Sequence, residues 1–226
     1  MILASSSPRR QQLLKMAGWT FSVLPASIDE RLLPPESPLT YVLRLAEGKA
    51  RCVLAGFSKA SPDGTLIVAA DTTVAVDGDI LGKPANAAEA EWMLRCLRGR
   101  THQVYTGLAV LRVGDQTLHS EITATDVTMR NYSEEEISAY IATGDPLDKA
   151  GAYAIQHSDF HPVIGLEGCY ANVVGLPLCR LVSMLEVMGE TSQTPPQAAC
   201  AGVIGQPCAV YEQFTRAGRG LKEGFV

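Results

Sequence analysis

The chain has no CxxC pair among its six cysteines, no excess of positive charge, no visible internal repeat and no apolar run near the length of a membrane span. Cys52, Cys96, Cys169, Cys179, Cys200 and Cys208, without paired spacing, read as reduced thiols of a cytoplasmic protein. With 19 basic against 24 acidic residues the net charge is −5, so no global field draws nucleic acid or an acidic membrane, and any phosphate site must be a local cluster. A membrane helix needs roughly 20 apolar residues, and the opening apolar segment Met1–Ala4 is too short even for a signal-peptide core. What remains, 46% hydrophobic and 19% charged over 226 residues, is enough for a substantial buried core in one large domain or two lobes.

The opening carries the first specific signal. Met1–Ala4 is strand-like, Ser5–Ser7 are small hydroxyl residues, and Ser7-Pro8 supplies a helix N-cap followed by proline at the first helical position. Leu13, Leu14 and Ala17 then recur at helical spacing, with Arg10 on the same line. Arg9 and Arg10 stand where the helix dipole favours acids, so local stability does not ask for them. An anionic ligand does, because unpaired N–H groups, serine hydroxyls and two guanidinium forks converge at the end of a strand. Solvated arginines at a surface helix start are the plainer alternative.

Farther along, Phe21–Pro25 reads as a second strand leading into a loop with Asp29 and Glu30, and a helix is expected from Leu39 with Val42, Leu45, Ala46, Cys52 and Val53 on one face. Lys49 falls on that stripe, where a lone lysine is expected to snorkel to the rim. Ser58–Gly64 reads as a polar turn, and Thr65–Val76, TLIVAADTTVAV, as a central strand covered on both faces. Asp71 interrupts it. An ionised carboxylate there is expensive unless a metal, a cation or donors offset its desolvation, so Asp71 is the foremost functional candidate and is expected at a break or rim of the strand.

GDILGKP at 78–84 fails as a Walker-type loop, because its glycines are one residue too close and Pro84 replaces the metal-holding hydroxyl; Lys83 can still reach a phosphate from a glycine-flanked turn. Asn86 with Glu89 caps an amphipathic helix through Leu97, and Thr101–Val113 and Thr117–Arg130 form a hairpin about Gly114-Asp115-Gln116, which makes the sheet mixed. Ser133 and Glu136 open a helix with Ile137, Tyr140 and Ile141 inward, closed by Gly144. The small-residue loop 145–156 gathers Asp148, Lys149, Gly151, Tyr153 and Gln156 where backbone can approach a ligand. His157 and His161 have zinc-like spacing, but Pro162 and the lack of a nearby third ligand argue against a metal there. Gly168–Pro177 reads as a strand, Leu178–Met188 as the final helix, and 189–226, with a weakly apolar patch near Val203 and Tyr211, as a tail.

Five stretches together resemble the Maf family of nucleoside triphosphate pyrophosphatases: LASSSPRRQQLL at 3–14, AADTTVAVDGDILGKP at 69–84, HQVYTGLAV at 102–110, DKAGAYAIQ at 148–156 and NVVGLPL at 172–178. The resemblance covers residues 2 to about 188 and implies a two-lobed α/β fold like that of inosine triphosphatases, with a long twisted mixed sheet flanked by helices and a central cleft. It divides the chain into a catalytic domain, 1–188, and a C-terminal extension, 189–226. It also implies a homodimeric enzyme, dependent on Mg²⁺ or Mn²⁺, that cleaves a nucleoside triphosphate to monophosphate and pyrophosphate, with no nucleic-acid or membrane partner.

Carried over by residue, Asp71 is the proton acceptor for the attacking water, and Lys49 and Lys83 act with it. Asp71 and Glu30 hold the metal. Ser5, Ser7, Arg9, Arg10, Thr72, Asp148, Lys149 and Gln156 bind substrate. Arg9, Thr72 and Gln156 match the subgroup acting on dTTP and UTP; a 7-methyl-GTP pyrophosphatase and a nucleotide-binding regulator of cell division are the alternatives. HSDFHPVIGLEG after Gln156 departs from the short glycine-rich loop usual in the family.

Overall fold

The computed structural model of the chain describes residues 1–57, 64–192, 194–204, 208 and 210–211. Its centre is β3 (Leu66–Val76), a strand buried nearly throughout. Leu66, Val68 and Ala70 pack toward one face of the sheet, and Ile67 and Ala69 toward the other, the period-two pattern of a strand covered on both sides. β3 joins a seven-stranded mixed sheet of order β2-β1-β3-β5-β6-β7, with β4 also on β3. β1 (Ile2–Leu3) runs parallel to β2 (Ser22–Val23) and to β3. β4 (Asp79–Leu81), β5 (Thr101–Arg112), β6 (Leu118–Met129) and β7 (Val163–Glu167) complete it with antiparallel pairs.

The pairing of β3 is lopsided. On the β5 side its ladder is continuous from Leu66 to Ala75. On the other side it meets β1 at Ile67 and Val68 and β4 from Val74 to Val76, so Ala69–Thr73 form an open stretch of edge. Asp71 lies in the middle of it. Of the break or rim expected for Asp71, the rim is what forms: Asp71 keeps its register opposite Gly107, and access comes from the missing neighbour strand.

α1 (Pro8–Met16), α5 (Tyr170–Val174) and α6 (Leu178–Val187) cover one face around Leu3, Leu14, Leu108 and Leu181. α2 (Pro38–Leu54) covers the opposite face with Ala46, Ala50 and Val53. α3 (Ala87–Leu97) and α4 (Glu134–Ala142) build a third cluster around Val74, Val104, Val127 and Met129, at the far end of β3. The expected caps form: Asn86 and Ser133 accept from the N–H groups of Glu89 and Glu136. Ser37, unmarked in the sequence reading, caps α2 in the same way.

Several elements differ from expectation. Cys52 is half-buried with its Sγ on the Ser27 carbonyl rather than on the packed face of α2, whereas Ile141, also half-buried, packs against the cluster around Val127 as expected. GDILGKP begins as a hairpin: Asp77 and Gly78, with φ of 54° and 89°, turn β3 into β4, a primed two-residue turn that suits Asp-Gly. The stretch read as a strand at Gly168–Pro177 is the short helix α5; its apolar run is buried by tertiary packing, and Gly175 at φ 109° ends it. Leu178–Met188 is followed by a further helix, α7 (Pro196–Ile204), whose Ala199 and Cys200 are buried in the cluster with α1 and α6. Ser192 Oγ donates to the Ala17 carbonyl at 3.0 Å, tying the start of this segment to the end of α1. Residues 58–63 of the expected polar turn, the Val203 side chain and 212–226 of the expected tail lie outside the described residues.

Candidate active site

A cleft of about 350 Å³ opens along the free edge of β3, walled by the turn before α1, by α2, by the segment after β4, and by the loop 145–156 with the end of α5. Every site residue picked from the sequence lines it except Asp71, which lies just beneath, in contact with Lys49.

The turn into α1 forms as read. Ser7 is the N-cap, its Oγ accepting from the Arg10 N–H, and Ser5 Oγ accepts from the Ser7 N–H at 3.2 Å. No acid occupies the first turn of α1. Arg10 bends inward: Nε donates to the Gly175 carbonyl at 2.8 Å, Nη2 to Thr72 Oγ1 at 3.0 Å and Nη1 to Ser5 Oγ at 3.3 Å. Burial lowers its pKa, and the Asp71 charge opposes that shift. Arg9 lies farther out, 3.5 Å from Asp148.

Lys49 does not snorkel. It sits on the buried stripe of α2 with Leu45, Ala46 and Val53, 9% exposed, and its Nζ lies 2.6 Å from Asp71 Oδ1 and 2.7 Å from Glu30 Oε1. The long stem packs among apolar neighbours, and two carboxylates take the place of water at its tip. Gly107 makes this approach possible: a Cβ there would stand 2.4 Å from the Val42 carbonyl oxygen, so only glycine lets α2 lie this close to β5. Val42 and Lys49 are two helical turns apart on one face, so the same contact sets Lys49 over Asp71.

The two carboxylates are tuned oppositely. Burial pushes the Asp71 carboxyl above the ordinary aspartate range and outweighs the charges of Lys49 and Arg10, which pull it down. Burial also pushes Glu30 up, but its hydrogen bond to Lys49 and the charges of Lys49, Lys83 and Arg10 prevail, leaving it below the ordinary glutamate value. Asp71 is thus a buried base held beside cations, and Glu30, half exposed, stays a carboxylate.

The loop after α4 is two 3₁₀ turns, Asp145–Asp148 and Ala150–Ala152. Lys149 Nζ donates to the Asp145 carbonyl at 2.6 Å, to Asp145 Oδ1 at 2.8 Å and to Asp148 Oδ1 at 2.6 Å. That uses the donors of an ammonium group, so in this arrangement Lys149 clamps its own loop rather than reaching out as a free cation. Tyr140 Oη braces the loop from beneath, donating to Asp145 Oδ2 at 2.7 Å and accepting from the Ala154 N–H at 3.0 Å. Gly151, at φ 68°, has Val74 where a Cβ would be, 2.9 Å away. Gln156 and Lys83 are exposed at the cleft wall.

The sequence reading missed Thr106 and the role of Asn172. Thr106 is buried and reaches Thr72 Oγ1 at 2.9 Å, and Asn172, also fully buried, hydrogen-bonds Val104 and Thr125. An asparagine inside an apolar run was the available signal. Among the described residues no three His, Cys, Asp or Glu side chains converge as a metal site. His157 Nδ1 accepts from the Phe160 N–H at 3.0 Å, and among the described residues no helix is long and apolar enough to cross a membrane.

On a mixed α/β fold, arginine and lysine side chains gathered around a cleft with a buried carboxylate beneath it make a site suited to a polyanion. The chain belongs to the Maf family: the Maf-like protein family matches residues 1–188. It is 48% identical over 189 residues to a dTTP/UTP pyrophosphatase of Geobacter sp. (strain M21), covering 84% of this chain and 95% of that protein. It is 49% identical over 191 residues to the protein of that name from Symbiobacterium thermophilum, covering 84% and 94%, and 47% identical over 187 residues to that of Chlorobium phaeovibrioides, covering 82% and 95%.

Proposed function

We propose that this protein is a nucleoside triphosphate pyrophosphatase acting on dTTP and UTP, with residues 1–188 as a two-lobed, inosine-triphosphatase-like catalytic domain and 189–226 as an extension of it. The observation that carries the reading is the buried Asp71, its pKa raised, paired with Lys49 and faced by Arg10 at the floor of the cleft. The relatives named dTTP/UTP pyrophosphatase, which this chain matches over more than nine-tenths of their length, supply the substrate class.

A triphosphate carries about four negative charges near neutral pH, and Arg9, Arg10, Lys49 and Lys83 offer four positive ones around the cleft. Ser5, Ser7 and Arg10 hold phosphate oxygens at the N-terminus of α1, and Arg9, Thr72 and Gln156 face the base. Asp71 accepts a proton from water as its oxygen attacks the α-phosphorus. The bond to the bridging oxygen of the β-phosphate breaks, and pyrophosphate leaves with the electron pair, its charge met by the lysines. Burial, which raises the basicity of Asp71, suits it to this step.

Asp71 and Glu30 offer hard oxygen donors of the kind Mg²⁺ or Mn²⁺ takes when substrate phosphates and water complete its coordination, so the site fits such an ion without an all-protein cage. When bound, a divalent cation neutralises phosphate charge and acidifies its water. A homodimer fits the exposed Val23, Leu24, Leu32, Leu33 and Leu39, on and after the sheet-edge strand β2.

Steady-state kinetics with Mg²⁺ or Mn²⁺ test the reading. kcat/KM for dTTP and UTP should exceed that for 7-methyl-GTP by at least about tenfold, and a reversed order contradicts the substrate assignment. Asp71→Asn should lower kcat by roughly 10²–10⁴ while nucleotide binding is largely kept, the loss expected for a general base.

A further inference from the structure

Behind the cleft, a chain of hydroxyl groups runs from Arg10 into the core, and its direction can be assigned. Thr106 Oγ1 lies 3.1 Å from the backbone carbonyl oxygen of Asn172, which can only accept, so the single hydroxyl hydrogen of Thr106 is committed there. Thr72 Oγ1 lies 2.9 Å from Thr106 Oγ1 and must then be the donor of that pair. With its hydrogen turned inward, Thr72 presents a lone pair to Arg10 Nη2–H at 3.0 Å. The order is Arg10 N–H to Thr72 O–H to Thr106 O–H to the Asn172 carbonyl.

The far end of the chain is fixed. Asn172 is fully buried, and its Nδ2 donates to the Val104 carbonyl and to Thr125 Oγ1, both at 2.9 Å. Thr72 and Thr106 are register partners on β3 and β5, so the middle link is set by the sheet ladder. Arg10 Nε is held separately by the Gly175 carbonyl at the end of the same short helix, α5. With Nη1 on Ser5, three of the five guanidinium N–H groups are bound by protein, and one on each terminal nitrogen is left for a ligand.

We propose that Thr106, which does not line the cleft, is a positioning residue: by fixing the hydroxyl of Thr72 as an acceptor it holds the Arg10 fork in the orientation that receives phosphate. The inference rests on the reading of the cleft as a nucleoside triphosphate site. Replacing the hydroxyl by a methyl group in Thr106→Val removes the acceptor of the Thr72 hydrogen, so the Thr72 rotor is no longer fixed and its lone pair is no longer held on Arg10 Nη2–H.

The test combines turnover of dTTP with calorimetric binding of inorganic pyrophosphate, on wild type, Thr106→Val, Thr106→Ser, Arg10→Lys and the Arg10→Lys/Thr106→Val pair. Thr106→Val should weaken pyrophosphate binding and lower kcat/KM about tenfold, and Thr106→Ser should restore both to within about threefold of wild type. In the Arg10→Lys background the Thr106→Val change should have under about twofold effect on either quantity, because the fork it orients is gone. If Thr106→Val does not fold, Thr106→Ala removes the same hydroxyl and carries the same comparison. A variant that only melts earlier, with binding and turnover as in wild type, overturns the proposal, and so does an undiminished effect in the Arg10→Lys background. Absence of dTTP turnover in wild type would count against the substrate reading alone, since pyrophosphate binding still reports on Arg10.

Discussion

At the scale of single residues, the site is a contest between burial and charge on Asp71. Desolvation wins, lifting its carboxyl above the ordinary range, while Lys49 and Arg10 hold it down from a higher value still. A base must be unprotonated to act, so kcat/KM should rise with pH through this elevated pKa and level off above it. Lys49→Met removes the largest charge favouring the carboxylate, so its acid limb should move to higher pH, with a greater loss of activity at about pH 6 than at about pH 9. A pH–rate profile checks this, and a limb unmoved or shifted to lower pH would show that Lys49 does not act on Asp71. The carboxylate itself was legible in the sequence because a charge inside an apolar β-branched run has few innocent explanations. Lys49 was not, since its partners Asp71 and Glu30 come from distant parts of the chain and a lone lysine on a helix stripe ordinarily runs to the surface.

At the scale of elements, the positions of helices on the sheet decide which side chains meet. α2 brings Lys49 to Asp71 because Gly107 leaves room for the Val42 carbonyl, and α5 brings two carbonyls to the Arg10 network. Gly107→Ala should therefore push α2 outward, with about 1–3 kcal/mol lost in denaturant unfolding and a clear fall in kcat, because the lysine leaves its carboxylate. Unchanged stability and activity would mean that α2 does not need this contact. Patterning revealed β3, the β5–β6 hairpin and the capped helices, all of which depend on local periodicity or capping chemistry. It misassigned α5, whose Val-Val run favours a strand until burial against α1 and β5 selects a helix. Asp77-Gly78 is a hairpin signal for β4, but its glycine also opens GDILGKP, whose spacing imitates a phosphate loop and hides the turn.

At the scale of the whole molecule, the cleft exists because the sheet is incomplete: β1 and β4 border the same edge of β3 and leave Ala69–Thr73 uncovered between them. No pattern in the sequence announces a gap in a ladder, so the sequence leaves a break and a rim of the strand equally open for Asp71. The C-terminal segment bears on the molecule differently. Ala199 and Cys200 of α7 are buried against the helices of one face, and no described residue of α7 lines the cleft. Truncation after residue 188 should lower the unfolding midpoint while leaving kcat/KM for dTTP within about threefold of the full chain, since contacts that do not line the cleft contribute to stability and not directly to the transition state. A large loss of activity at unchanged stability would place part of the segment in the site.

The central claim is that Asp71 directs water onto the α-phosphorus. Turnover of dTTP in ¹⁸O-labelled water, with the products separated and weighed by mass spectrometry, tests it most directly. The label should appear in the monophosphate, with unlabelled pyrophosphate beside it. Label in the pyrophosphate, or orthophosphate as the first product, would contradict it.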